Sequence, residues 1–145
     1  MFSLKELAAQ LPSLVQKPKP PIETITFMPD DFPSSSSEEV ITICRGIKSH
    51  FESAMHFWVV SQQSENWYGR EEFLLSYFNE VACHMIDEKE FVLMMNQTQG
   101  LKNPIVLVPK GKYIWGQKMV NEWNDSSALA EFEHEYLSFH WETTA

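Results

Sequence analysis

Residues 131–142, EFEHEYLSFHWE, constrain the fold more than any other stretch, because they satisfy two incompatible periods. At a period of two, Glu131, Glu133 and Glu135 line one face of a strand while Phe132, His134 and Tyr136 line the other. At 3.6 residues per turn, Leu129, Phe132, Tyr136 and Phe139 or His140 form the buried stripe of a helix. Asp125, followed by two serines, is a good N-cap, and Ala128 and Ala130 are strong helix formers. The local signals therefore predict a C-terminal helix over 126–140.

The same reasoning predicts four other elements. Ser3 and Glu6 form an S-x-x-E capping box, after which Leu4, Leu7, Leu11, Leu14 and Val15 share a face. This marks an N-terminal helix over 1–16, bent or divided at Pro12. KPKPP at 17–21 is a stiff extended connector, and IETITFM at 22–28 reads as a strand. Val40, Ile43, Cys44, Ile47, Phe51, Met55 and Trp58 step by threes and fours, predicting one long helix over 38–62, although VITIC alone also fits a strand. Leu74, Tyr77, Phe78, Val81 and Met85 predict a second long helix over 70–88.

EFVLMMN, NPIVLVPK and KYIWG read as two or three strands of a hairpin or meander near 90–116, with Pro104 and Pro109 at strand ends. The expectation is an α+β fold: one globular domain over 22–145, two long amphipathic helices, a small antiparallel sheet and a C-terminal helix. Residues 1–16 form an arm that either docks on this body or clasps a second copy in a homodimer.

Charge narrows the function. The formal net charge is −9, which argues against direct binding to a phosphate backbone and favours a basic protein partner. The charges come in blocks: residues 21–39 carry five acids and no base, residues 91–120 four lysines and no acid, and residues 121–145 six acids and no base. KGKYIWGQK at 110–118 interleaves lysines with aromatics, as a base-stacking groove would. A hairpin with inward rings and lysines guarding its edge is the preferred reading.

The two cysteines, Cys44 and Cys83, make neither a disulfide framework nor a zinc cluster and read as reduced thiols. The N-terminus lacks the pattern of a signal peptide and no apolar run reaches membrane-spanning length, so a cytoplasmic location is expected.

Catalytic motifs are missing. There is no G-x-S-x-G, P-loop, G-x-G-x-x-G or H-E-x-x-H. In the helical reading, Glu52 with His56, Glu80 with His84, and Glu131 with His134 are three acid–histidine pairs on three helices. They define an alternative, a metal-dependent enzyme. A carboxylate di-iron bundle needs two E-x-x-H motifs, however, and only Glu131–His134 has that spacing. No metal or cofactor is expected.

The leading expectation is a non-catalytic acidic binding protein that occludes a basic, nucleic-acid-binding partner in the manner of an immunity protein or a phage anti-defence inhibitor. A dimeric secretion chaperone or adaptor is a further alternative. These analogies rest on size and charge alone. The expected anchors are Trp67, Tyr68, Trp115 and Trp123, since a few large aromatics dominate an interface. The expected carboxylates are Asp30, Asp31, Glu71, Glu72, Glu131 and Glu135.

Overall fold

The computed structural model describes residues 1–65 and 81–144. Six strands form one antiparallel sheet: β1 (Glu23–Phe27), β2 (Glu39–Ile47), β3 (His84–Ile86), β4 (Tyr113–Glu122), β5 (Asp125–Phe132) and β6 (Glu135–Thr143), in the spatial order β1-β2-β6-β5-β4-β3. Three described helices accompany it: α1 (Leu4–Leu14), α2 (Ala54–Ser64) and α3 (Glu88–Met95).

The sheet is covered on both faces. Against one face lie α1, α2, Phe2, Phe51 and Val81, packed on Cys44, Leu129 and Tyr136. Against the other lie α3, Phe32 and Leu101, packed on Ile41, Ile43, Ala128, Ala130, Leu137 and Phe139. Central strands between two covered faces bury both sets of alternating side chains. Residues 135–140 of β6 are accordingly all buried.

Several expected elements are corrected. The C-terminal helix over 126–140 is instead β5 and β6, joined by a turn at Glu133 and His134. The alanines that favoured helix occupy a sheet face beneath apolar cover, where small side chains leave room for neighbours such as Phe91. The long helix over 38–62 divides into β2, a short 3-10 turn at Lys48–His50, and α2. The boundary falls at Phe51 and Glu52; Ser53 then caps α2, its side chain accepting the His56 N–H.

Of the helix expected over 70–88, residues 70–80 lie outside the described residues, and His84–Ile86 is a strand. EFVLMMN, expected as a strand, belongs mostly to α3: Asp87 caps it by accepting the Glu90 N–H, and Phe91 and Met95, four apart, are its buried residues. NPIVLVPK has no regular secondary structure, whereas KYIWG opens β4. The sheet is thus six-stranded rather than small.

The N-terminal helix and first strand agree closely with expectation. Ser3 caps α1 by accepting the Glu6 N–H, and Pro12 lies within its last turn. Leu7 and Leu14 are buried against the chain's own body, so α1 docks intramolecularly. Lys17 in the connector pairs with Glu52. Cys44 and Cys83 are free thiols. No helix among the described residues is long and apolar enough to cross a membrane.

Gly46 is where β2 allows the helical layer to approach. A Cβ there would lie 2.6 Å from Phe51 Cε2 and 2.9 Å from Phe57 Cδ2. Both are buried rings in edge-to-face contact with each other. Gly46→Ala is expected to lower stability by roughly 2 kcal/mol through overpacking, measured by urea denaturation.

Candidate functional site

The antiparallel register gathers acids at one end of the sheet. Phe27 pairs with Ile41, Glu39 with Thr143, and Asp125 with both Glu142 and Glu122. The β1–β2 connection and the β4–β5 turn therefore project from the same end. Asp30, Asp31 and Glu38 lie on the first, Glu122 and Asp125 flank the second, and Glu39 and Glu142 stand on the strands beneath. β1 and β4 are four strand positions apart, so this end spans about 19 Å.

Trp123 sits in the β4–β5 turn and is 74% exposed. The turn is held from the C-terminal side, where the Thr143 N–H donates to the Asn124 carbonyl at 3.0 Å.

Behind this rim, on the face covered by α1 and α2, lies a buried polar cluster centred on His140, which is 5% exposed. Its Nδ1 is 2.7 Å from Glu65 Oε1 and its Nε2 is 2.8 Å from Asp125 Oδ1. Both partners are carboxylates, so both ring nitrogens donate and the ring is an imidazolium. Burial alone pulls the His140 pKa down, but the charge of Glu65 and the hydrogen bonds that the ring donates to both carboxylates hold it well above the usual histidine value.

Glu65 follows the last turn of α2. A helix C-terminus disfavours a carboxylate, and the imidazolium offsets that penalty. Burial and the Glu65 charge also push the Cys44 thiol up to about 11, so it is no nucleophile at neutral pH. Although Glu142 is exposed as a residue, partial loss of water around its carboxylate pushes it up, as do Glu65 and Asp125, against the opposing pull of His140.

The structure separates the sequence-predicted residues. Asp30, Asp31 and Trp123 all lie at the acidic end, on connections at opposite sides of it. Asp30 and Asp31 are exposed in the 3-10 turn after β1, where Asp31 Oδ2 accepts the Met28 N–H. Trp115, Glu131 and Glu135 are not part of this end. Trp115 packs against Phe2 and donates its indole N–H to Glu131, which also pairs with Lys48.

Glu135 is 2% exposed and is held bidentate by Arg45 at 2.9 and 2.7 Å, with the Lys110 N–H as a third donor. Its carboxylate is structural, not a partner contact. Trp67, Tyr68, Glu71 and Glu72 lie outside the described residues.

Among the described residues, the acid–histidine pairs of the metal-enzyme reading do not converge. His56 is buried, accepting the Glu52 N–H at Nδ1 and donating from Nε2 to the Pro18 carbonyl at 3.2 Å, while Glu52 pairs outward with Lys17. His134 is exposed in the β5–β6 turn beside Glu133. His84 is exposed on β3, and Glu80 is outside the described residues.

Sequence reasoning missed the His140 cluster. Asp125, His140 and Glu142 share a face only once β5 and β6 are strands in this register, and Glu65 arrives from a different element. Comparison with protein-family models, with curated proteins and with solved structures finds no match to this chain.

His140→Gln is expected to cost roughly 3 kcal/mol at pH 6, because it leaves the Glu65 carboxylate buried without its cation. The folded pKa of His140 is raised, so its contribution is complete below the unfolded value near 6.5 and is lost as pH rises through the folded value. Urea denaturation of both proteins across pH should give a difference that is largest between about pH 5 and 6.5 and shrinks on the alkaline side.

Proposed function

We propose that this chain is a non-catalytic binding protein that presents its acidic sheet end to a basic protein partner and occludes it stoichiometrically. The observation that carries this reading is Trp123: a large ring, 74% exposed, on a tethered turn between Glu122 and Asp125. A tryptophan in water leaves its apolar surface uncovered, and such rings are favoured anchors at interfaces. The surrounding carboxylates, from Asp30 and Asp31 at one side through Glu142 in the middle to Glu122 at the other, steer a positively charged surface toward it. Anchor and steering charges lie within about 19 Å, a span comparable to one face of a standard interface.

The absence of a catalytic motif in the sequence is consistent with this reading. So is the state of the polar residues nearest the site, since His140 is held by two carboxylates and Cys44 is a buried thiol of raised pKa. A basic nucleic-acid-binding protein is the partner class that the charge favours, with carboxylates standing where phosphates would.

The test is capture from native lysate at low and high salt, followed by titration of the isolated partner against the wild type, Trp123→Ala and Glu122→Lys. The partner should be basic and should bind at one-to-one stoichiometry. Trp123→Ala should weaken affinity by at least about 2 kcal/mol, roughly 30-fold. Glu122→Lys should chiefly slow association and flatten its salt dependence. Equal affinity for Trp123→Ala, or binding indifferent to ionic strength, would refute the proposal.

A further inference from the structure

We propose that Asp125, His140 and Glu142 form a binding site for one divalent transition-metal ion of the zinc or manganese type, with Glu65 orienting the imidazole from the opposite side. This site does not require the partner-binding reading, although its two carboxylates, Asp125 and Glu142, border the same acidic end.

The register of β5 and β6 builds the ligand set. Asp125 and Glu142 are directly opposite each other, and His140 stands two residues along β6 on the same face. One ligand atom from each residue falls within a group whose members all lie within 4.8 Å of one another. An imidazole nitrogen with two carboxylate oxygens is a borderline-hard set that suits zinc or manganese, with solvent completing the coordination shell. Histidine is central here, and its burial separates the cluster from a chance grouping of surface acids. Glu142 is exposed, so the site has a path for entry.

Glu65 supplies the outer carboxylate. Its hydrogen bond from Nδ1–H fixes the ring so that Nε2 faces Asp125. A carboxylate holding the far nitrogen of a ligating histidine sets its tautomer and raises its basicity.

Charge points the same way. Three carboxylates meet in this cluster, and His140 is the cation paired with two of them among the described residues. A divalent ion held by Asp125 and Glu142 lowers the repulsion between these neighbouring carboxylates. On binding, the Nε2 proton leaves to solvent, the nitrogen lone pair is donated to the ion, and Nδ1–H stays on Glu65. Uptake therefore releases about one proton per ion near neutral pH.

The experiment is calorimetric titration of the full chain with zinc, and separately with manganese, at pH 7 in two buffers of different ionisation enthalpy. The expected result for zinc, manganese or both is one ion per chain, about one proton released, and a rise in melting temperature. Imidazole nitrogen NMR should show the two-proton ring of His140 becoming singly protonated. Asp125→Ala and Glu142→Ala should each weaken binding at least about 10-fold, and Glu65→Gln about 10-fold with stoichiometry retained.

Glu142 is exposed, so its variant should keep the fold, which circular dichroism checks. His134→Ala, which removes the exposed histidine of the β5–β6 turn, should bind as the wild type does. The proposal is overturned if neither ion is taken up stoichiometrically. It is equally overturned if Asp125→Ala or Glu142→Ala binds within about twofold of the wild type, or if His134→Ala abolishes uptake.

Discussion

Cover on both faces of the sheet is the constraint from which the rest follows. A strand at the centre of such a sheet has no solvent side, so every polar residue on it must find a partner inside the protein or cost several kcal/mol. β6 meets this condition at both ends. Near its start, Glu135 turns to the α3-side face and is held by the Arg45 guanidinium and the Lys110 N–H. Toward its other end, His140 turns to the α2-side face and is held by Glu65 and Asp125. Between them Leu137 and Phe139 fill one core, while Tyr136 and Ser138 face the other.

These two polar anchors differ in kind. Arg45 and Glu135 form a matched pair of opposite charges with parallel hydrogen bonds, the geometry in which a buried ion pair is best satisfied. Among the described residues His140 pairs with two carboxylates, Glu65 and Asp125, just behind the acidic rim that carries Trp123. The same strand register thus places the buried His140 cluster and, outside it, the acidic rim that carries Trp123. Antiparallel pairing brings the β1–β2 connection, the β4–β5 turn and the end of β6 to one end of the sheet, although the first and last of these are more than a hundred residues apart in the chain.

What could be read in the sequence depended on how local its cause was. α1 was legible because its cap, Ser3 with the Glu6 N–H, and its buried leucines at 7 and 14 lie within three turns. β1 was legible because it is an edge strand with one side toward solvent, which preserves alternation. β2 and β6 were misread because burial on both faces erases alternation, and a continuous apolar run also matches helical spacing. α3 was misread in the opposite sense: FVLMM looks like a buried strand, and the Asp87 cap that starts a helix was outweighed by it. Asp30, Asp31 and Trp123 are exposed, as expected of their type and position, but Glu135 was taken for a surface acid because its partner Arg45 lies ninety residues away.

By itself the sequence determined the acidity of the chain, the segregation of its charges, the N-terminal helix with its proline-rich connector and the lack of any motif for bond-making chemistry. These are properties of composition or of neighbours within a few residues. Only the tertiary structure decided that 126–140 is two strands, that Glu135 is buried while Trp123 is not, and that Glu65 and Asp125 meet on the ring of His140. The physical reason is that short apolar segments are nearly as stable in one backbone conformation as the other, and the choice is made by the distant surfaces that cover them. Ionisable side chains follow the same rule, since their role is set by whichever long-range partner the register delivers.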